Sequence, residues 1–331
     1  MKRFRFTPLI YALFLFLASC NENFYNYSGA VWGTTFNISY KSGQQLDDSI
    51  DAVLRSVDES LSMFNPGSTI ARINAGSDMR ADSLVTGVLD LSRRVWDVSG
   101  GSFDPTVGPL VELWGFGPGR RQGKPDSAAI ALALSRTGLH KCNVADGQVC
   151  FSADSMRLDF SAIAKGYGVD RIASLLSRNG CNDFMVEIGG EINARGMNPD
   201  GRPWRIQIDA PSSAPDGSAM HDRLRIIELR DAALATSGNY RNFRLLPDGR
   251  RVGHTISPLS GLPVLSETLS VSVMAGECAL ADALATAAMA MPYADARTMI
   301  DSLDGVEALF VLSAPDGGTQ VIATDGFPEA L

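Results

Sequence analysis

The sequence predicts an α+β fold: a single domain in which helices pack on a largely antiparallel sheet. Strand-like segments outnumber helical ones, and they follow one another in consecutive runs separated by short polar turns. A parallel sheet would instead need strands that alternate regularly with helices. The 331 residues are 45% hydrophobic and 20% charged, which is enough for a large core, and no tandem repeat or long linker divides the chain.

Five segments have the apolar spacing of helices. In the first, Leu46, Ile50, Val53, Val57 and Leu61 recur every three or four residues. In the fourth, Ile163, Ala164, Tyr167, Ile172 and Leu176 form the stripe, and Gly180 supplies the end. The predicted helices cover residues 45–64, 86–100, 126–138, a stretch that begins within 158–170, and 277–291.

The remaining patterned segments alternate or are rich in β-branched residues, which is typical of strands. They are residues 30–40, 141–152, 155–160, 183–196, 204–210, 224–238, 242–258, 269–277, 308–314 and 319–324. Residues 99–117 contain so many glycines and prolines that we expect an irregular loop there.

The Asp146-Gly147 pair predicts a hairpin turn between Cys142 and Cys150. A two-residue turn would place the two thiols on opposite faces, and a three-residue turn would place them opposite each other, where a disulfide is possible. The sequence leaves both open. None of the four later cysteines has metal-ligand spacing, so we expect buried free thiols at Cys142, Cys150, Cys181 and Cys278.

The N-terminus has the pattern of an export signal. Three basic residues precede a short apolar stretch, and "LASC" then resembles a bacterial lipobox ending at Cys20. We expect a lipoprotein signal peptide at 1–19, a lipidated polar tether at 20–29 and the functional domain at 30–331. The alternative is a plain signal peptide with an incidental cysteine. Acyl chains on Cys20 would hold the domain at the inner or outer membrane of the cell envelope, facing the periplasm.

Charge and motifs exclude several functions. The net charge is −8 and there is no basic run, which argues against nucleic acid as a partner. The chain has no GxGxxG, Walker A, GxSxG or HExxH motif and contains three histidines, so a histidine-rich metal site is not expected.

Four segments carry the remaining polar and glycine-rich signals. Residues 99–117 combine glycines with large aromatics, as a loop does that lets its backbone approach phosphates. Residues 158–170 place Asp159 before a helix and Lys165 within it. Residues 234–263 end strands in polar groups, namely Ser237, Asn239 and His254.

Each signal also has a simpler structural interpretation. Asp159 suits a helix cap, Lys165 a solvated charge, and Asp170 an ordinary surface charge. In the fourth segment, residues 281–287, Asp282 and Thr286 share a helix face and offer hard oxygen ligands suited to Mg²⁺; they also suit a helix start with an outward-facing threonine.

Taken together and in order, the segments resemble the FAD:protein FMN transferase (ApbE) family from about Trp32 to Ala323. The matching motifs are "WGTTF", "SMFNPGSTIARIN", "GGSFDPTVGPLVELWGFG", "DFSAIAKGYGVD", "EIGGEI", "ATSGNY", "GHTISPLSG" and "DALATA". The resemblance implies an enzyme that cleaves FAD with Mg²⁺ and attaches FMN to a threonine of an acceptor protein, such as a subunit of a membrane redox pump, releasing AMP.

The resemblance also implies site residues. FAD contacts are expected at Trp32, Phe64, Ser102, Phe103, Asp104, Asp159, Lys165, His254, Thr255 and Ile256. Mg²⁺ is expected at the backbone oxygen of Ala162 and at Asp282 and Thr286, with Ala285 beside them. His254 is the leading general base because its ordinary pKa lies near neutrality, and Asp282 is a possible aid.

Four positions depart from the family pattern. Trp32 and Phe64 replace a frequent methionine and tyrosine but keep an apolar surface. Ser257 stands where many members have an aspartate, and Ala285 stands where some members have an acidic candidate metal ligand. These two departures keep open a lipoprotein that binds FAD without catalysis, and a second enzyme alternative is an FAD pyrophosphatase that uses water.

Overall fold

The structure is a computed structural model that describes residues 22–119, 123–211, 222–239, 243–245 and 251–331. The predicted signal peptide and Cys20 lie outside these ranges. The helices are α1 (Asp47–Leu61), α2 (Thr69–Asn74), α3 (Ser83–Val98), α4 (Gly108–Leu113), α5 (Ser127–Ser135), α6 (Ala164–Arg178), α7 (Cys278–Met289) and α8 (Tyr293–Asp301). None of the helices within the described ranges has the length and apolar character needed to cross a membrane.

The strands fall into one large sheet and three two-stranded pairs. They are β1 (Asn23–Val31), β2 (Thr34–Ser42), β3 (Cys142–Ala145), β4 (Gln148–Phe151), β5 (Phe184–Ile188), β6 (Glu191–Arg195), β7 (Trp204–Asp209), β8 (Arg223–Leu229), β9 (Ala232–Gly238), β10 (Phe243–Leu245), β11 (Arg251–Gly253), β12 (Thr268–Ala275), β13 (Glu307–Ser313) and β14 (Thr319–Ala323).

The large sheet has the order β1-β2-β5-β6-β9-β12-β13-β14, and every neighbouring pair in it is antiparallel. The small pairs are β3–β4, β7–β8 and β10–β11. The predicted α+β fold with a largely antiparallel sheet is therefore confirmed.

Each face of the sheet is covered by a different layer. Side chains alternate along β9, so that Ala233 and Ala235 pack with the helices while Leu234 packs with the β7–β8 pair. On β6, Ile192 and Ala194 also face the β7–β8 pair. Glu191 and Asn193 consequently project from β6 toward the helical layer, where α6 and α7 lie.

The N-terminal boundary differs from the sequence prediction. The tether was expected to run to Gly29, but β1 already begins at Asn23 and pairs with β2 along its whole length. Aromatic side chains explain the difference: Tyr25 stacks on Tyr40 with ring centroids 5.5 Å apart, and the Tyr27 hydroxyl donates to Asp51. Rings of this kind favour a pleated, half-buried strand.

Two other segments also differ from expectation. The glycine- and proline-rich stretch contains α4, because its proline occupies the first helical turn and Leu110 and Leu113 are buried. Residues 155–160, predicted as a strand, form only a single bridge between Arg157 and Val107. The short helices α2 and α8 were not predicted.

The length of the hairpin turn decides between the two arrangements expected for Cys142 and Cys150. Ala145 pairs with Gln148, so the turn has two residues, and Cys142 and Cys150 lie out of register on opposite faces. Both are free thiols, as are Cys181 and Cys278. Cys150 is exposed, so the expectation of a buried thiol is wrong there because its face of the hairpin points to solvent.

Candidate functional site

A cleft with a volume of about 970 Å³ lies among the four polar segments. This volume is within the size range of small-molecule sites. Segments far apart in the chain form its walls. All ten predicted FAD contacts line it: Trp32, Phe64, Ser102, Phe103, Asp104, Asp159, Lys165, His254, Thr255 and Ile256. So do Ala162, Asp282 and Thr286 among the predicted metal ligands, but Ala285 does not.

Lys165 is paired with a carboxylate that the sequence did not single out. Its ammonium forms an ion pair with Glu191, whose side chain is almost completely buried. Burial by itself would lower the pKa of Lys165, but the Glu191 and Asp282 carboxylates raise it. Lys165 is therefore a fixed cation in the cleft wall and not the solvated side chain of the simpler interpretation.

Glu191 and Asp282 make this part of the cleft rich in negative charge. Burial raises the pKa of Glu191 to about 7 even though Lys165 opposes the shift, and burial also raises the pKa of Asp282. When both carboxylates are ionised, two negative charges face one ammonium. Glu191 Oε2 is buried and has no hydrogen-bond partner among the described residues.

The start of α6 leaves a backbone oxygen at the cleft. In a continued helix the Gly166 N–H would donate to the Ala162 carbonyl. It donates instead to Asp282 Oδ2 at 3.1 Å, and Ala162 lines the cleft. This bond ties the Asp282 carboxylate to the first turn of α6 and leaves the Ala162 carbonyl without its helical donor.

These oxygens fit a hard divalent cation. Thr286 lies one turn after Asp282 on α7, and its hydroxyl is 3.2 Å from Ser237 Oγ. Among the described residues there is no group of three or more His, Cys, Asp or Glu that would hold a metal, so a cation here would depend on one carboxylate and neutral oxygens. Ala285 is fully buried and offers no side-chain donor, so its side chain is not a metal ligand.

Trp32 and Phe64 supply the aromatic surface. Phe64 is 65% exposed, and Trp32 is half-buried in a backbone conformation with φ of 49°. The Trp32 ring packs directly on Gly168 of α6, where an added Cβ would lie 2.4 Å from the ring. Gly168 is thus the surface on which the Trp32 ring rests.

Asp104 orders the glycine-rich loop. Its carboxylate accepts hydrogen bonds from the Thr106 N–H and hydroxyl, from the Leu139 N–H at 2.8 Å and from Trp96 Nε1 at 3.2 Å. Donor groups of the protein thus use the acceptor positions of the Asp104 carboxylate, and these bonds hold the loop in shape. Ser102 and Phe103 are nearly buried beside it and line the cleft.

Asp159 does not cap α6. The helix begins five residues later, at Ala164, and Asp159 Oδ1 accepts instead from the Ser161 N–H at 2.9 Å, while the Asp159 N–H donates to the Pro105 carbonyl. The side chain is buried, and burial raises its pKa. Asp159 therefore ties the start of this segment to the glycine-rich loop at the cleft.

The segment that contains His254 forms another part of the cleft wall. His254 is half-buried, with its ring centroid 6.5 Å from that of Phe116. Thr255 and Ile256 follow it along the cleft, whereas Ser257 turns away: its hydroxyl accepts from the Ser260 N–H at 3.3 Å. Of the other strand-end groups, Ser237 lines the cleft and Asn239 does not.

Asp170 corrects a prediction. The sequence suggested an ordinary surface charge, but the half-buried carboxylate lies between α6, β6 and α7. It accepts from the backbone N–H groups of Cys278 and Ala279 at 2.9 and 2.8 Å, and from Asn193 Nδ2 at 3.0 Å. Burial raises its pKa to about 6, although these donors favour the ionised form.

The sequence contained a weak signal for Asp170 and Glu191, whose roles were not predicted. Asp170 lies one turn after Gly166 on a face that is otherwise apolar, and Glu191 follows two glycines inside a strand pattern. An acidic residue on a buried face is uncommon unless it has partners.

Comparison with known proteins shows the family of this chain. The ApbE family model matches residues 32–310. The chain belongs to the ApbE family. It is 35% identical over 318 residues to the FAD:protein FMN transferase of Vibrio cholerae, a match that covers 92% of this chain and 93% of that protein.

Solved ApbE structures share the fold. The flavin transferase ApbE from Vibrio cholerae superimposes with a TM-score of 0.80 at 33% identity, covering 92% of this chain and 98% of that one. The apo form of the Pseudomonas stutzeri flavinyl transferase ApbE gives a TM-score of 0.81 at 31% identity, covering 92% and 96%. The match extends across the cleft walls because it spans nearly the whole described chain.

Proposed function

We propose that this ApbE-family chain is an FAD:protein FMN transferase that acts with Mg²⁺ and attaches FMN through a phosphoester bond to a threonine of an acceptor protein. One observation carries the proposal. A single cleft joins an aromatic surface (Trp32 and Phe64), a half-buried cation (Lys165) and a set of hard oxygen donors (Ala162, Asp282 and Thr286). These are the groups needed for a flavin ring, a pyrophosphate and a divalent metal, respectively.

Binding and orientation divide among named residues. Trp32 and Phe64 offer rings to the flavin, and the loop at Ser102 and Phe103 offers backbone groups already held in shape by Asp104. Lys165 offers its ammonium to the pyrophosphate. Because Glu191 fixes that ammonium, Lys165 needs little reorganisation when FAD enters.

The residues that would hold Mg²⁺ are Asp282, Thr286 and the carbonyl of Ala162. Bound there, the ion would neutralise charge on the phosphate oxygens and stabilise the leaving AMP. When both are ionised, the Glu191 and Asp282 carboxylates outnumber the single Lys165 ammonium beside them, and a bound cation would offset the remaining negative charge.

The group transfer needs a base for the acceptor. The threonine Oγ forms a bond to the phosphorus of the FMN half, the bridging P–O bond breaks, and AMP leaves with the bonding electrons. The threonine proton passes to His254, which lines the cleft and whose ordinary pKa is near neutrality. Asp282 is a poor base while it holds a cation, so we assign it a supporting role.

The decisive test measures AMP release by the purified protein with FAD, with and without an acceptor protein, in Mg²⁺ and in EDTA. Transfer predicts AMP release that needs both acceptor and Mg²⁺, together with the mass of FMN on an acceptor threonine by mass spectrometry. Equal AMP and FMN release without acceptor would indicate an FAD pyrophosphatase. Saturable FAD binding without AMP release would indicate a non-catalytic FAD-binding lipoprotein.

The N-terminal pattern leads to a proposal about location. We infer that Cys20 is lipidated and that the enzyme is anchored to the inner or outer membrane of the cell envelope, facing the periplasm. The "LASC" sequence and the basic, then apolar, residues before it support this inference. An anchored enzyme of this kind suits an acceptor that is itself part of a membrane redox pump.

A further inference from the structure

Two polar layers lie one above the other between the same three elements. In the layer at the cleft, α6 supplies Lys165, β6 supplies Glu191 and α7 supplies Asp282. In the layer beneath, α6 supplies Asp170, β6 supplies Asn193, and α7 supplies the first backbone N–H groups of the helix. On α6 the two layers are five residues apart, which is about one and a half helical turns.

The lower layer fixes where α7 starts. Helix α7 has no side-chain cap of its own, because its N-cap residue Glu277 makes no capping hydrogen bond. Asp170 takes that role from a different helix and satisfies two N–H groups that α7 would otherwise leave open. A carboxylate at this end of the helix also matches the helix dipole.

The packing between the helices is too close for free movement. A Cβ added at Gly166 would lie 2.5 Å from the Cys278 carbonyl oxygen, so the backbones of α6 and α7 touch. The same stretch of α6 thus meets α7 at three points: the Gly166 backbone lies against Cys278, the Gly166 N–H donates to Asp282, and Asp170 accepts from the first N–H groups of α7. The Asp170 bonds therefore help to fix where α7 lies along α6.

From this arrangement we propose that Asp170 is a positioning residue for the metal half of the cleft. Asp170 does not line the cleft, and its carboxylate accepts hydrogen bonds from Asn193, Cys278 and Ala279. By holding the first turn of α7 on α6, it sets Asp282 one turn later against the Gly166 N–H, in the cleft that Ala162 also lines. Partners behind the ligands of a metal typically change metal affinity or activity by about 10–100-fold. The inference rests on the proposed function for the identity of the cation.

The experiment compares Asp170→Ala and Asp170→Asn with a matched cap on another helix. Asp82 caps α3 by accepting from the Leu84 and Val85 N–H groups, both at 2.9 Å, and it does not line the cleft. MgCl₂ is titrated into each protein without FAD by calorimetry, and urea unfolding is measured in parallel. We expect both Asp170→Ala and Asp82→Ala to unfold at lower urea, but only Asp170→Ala to weaken Mg²⁺ binding, by about 10–100-fold.

The conservative variants keep the test decisive if Asp170→Ala does not fold. Asp170→Asn retains one acceptor oxygen, and Asn193→Ala removes only the donor that orients the carboxylate, so both should weaken Mg²⁺ binding less than the alanine variant. Wild-type Mg²⁺ affinity in Asp170→Asn, or an equal loss in Asp82→Asn, would overturn the proposal.

A second titration separates this inference from the proposed function. If the wild-type protein binds FAD but no Mg²⁺, the metal in the proposed function is wrong. The positioning role is then judged by FAD titration in EDTA, followed by flavin fluorescence. Weaker FAD binding in Asp170→Asn than in Asp82→Asn would support it, and equal binding would overturn it.

Discussion

At the scale of single residues, a variant at His254 distinguishes FAD binding from the transfer step. It forms one wall of the cleft beside Phe116, whereas the aromatic surface and Lys165 lie on other segments. We therefore expect His254→Ala to lower the rate of FMN transfer by about 10²–10⁴-fold, the usual contribution of a general base, while FAD affinity changes little. Single-turnover FMN transfer and FAD titration on the same preparation measure the two effects.

The variant Trp32→Ala is the counterpart of His254→Ala. It should weaken FAD binding while leaving single-turnover transfer at saturating FAD closer to the wild-type rate. If His254→Ala instead lost FAD binding and kept the transfer rate at saturation, the histidine would be a binding group and not the base.

Glu191 predicts a pH dependence of stability. Its pKa is about 7 in the folded protein and near the ordinary 4.5 in the unfolded chain, because burial favours the protonated form. The stability that it contributes is thus fully present below about pH 4.5 and is lost as the pH rises through about 7. We expect the metal-free wild-type protein to lose stability between pH 5 and pH 8, and Glu191→Gln to lose less over the same interval.

Urea unfolding at the two pH values checks this prediction. The quantity compared is the change in stability between the two pH values. The absolute stabilities are not compared, because Glu191→Gln is expected to be less stable overall after losing its charge pair with Lys165. Parallel slopes in the two proteins would show that Glu191 is already ionised at pH 5.

At the scale of elements, Gly168 is the contact between α6 and the aromatic surface. A methyl group there would collide with the Trp32 ring, so Gly168→Ala should displace the ring and weaken FAD binding about tenfold, or roughly 1.4 kcal/mol. Flavin fluorescence titration gives the affinity.

A double variant provides the control for Gly168→Ala. In a Trp32→Ala background the collision is gone, and alanine is favoured over glycine inside a helix by about 1 kcal/mol. Gly168→Ala should then leave FAD affinity unchanged and raise the urea midpoint. A further loss of FAD affinity in the double variant would mean that Gly168 itself contacts the ligand.

The predicted helical segments overlap α1, α3, α5, α6 and α7. A period is clearest in α1, α3 and α6, which have 15 or 16 residues each. Helices α2 and α4 have six residues each, too few for a period to show, and tertiary packing stabilises them; α8, with nine residues, was also missed. Strand β1 was missed in part because a polar stretch hides three aromatic residues.

The candidate site follows a similar rule. Residues that match ordered motifs, such as Lys165, Asp282 and His254, do meet in one cleft. Glu191 and Asp170 were missed because their roles depend on partners more than 20 residues away, which spacing within one element does not reveal. Ala285 was predicted beside the metal ligands because it lies within their motif, but it is on the face of α7 that is buried in the core.

For the whole molecule, the proposed anchor predicts a covalent lipid at one cysteine. We expect cells given radiolabelled palmitate to label the wild-type protein and not Cys20→Ala. Cys150 is an exposed free thiol within the folded domain, so Cys150→Ala is the matched control and should keep the label. Label that persists in Cys20→Ala would exclude Cys20 as the lipidated residue.

The cleft also has a consequence for when the protein can receive its nucleotide. Its walls come from positions between Trp32 and Ala290, so a chain that has not yet brought α7 against α6 has no cleft to offer. If FAD binds as proposed, we expect it to bind only the finished fold and to stabilise it, by about 2.7 kcal/mol at a free concentration 100 times the dissociation constant. The supply of FAD in the compartment where the chain folds would then raise the fraction of enzyme that resists unfolding and proteolysis.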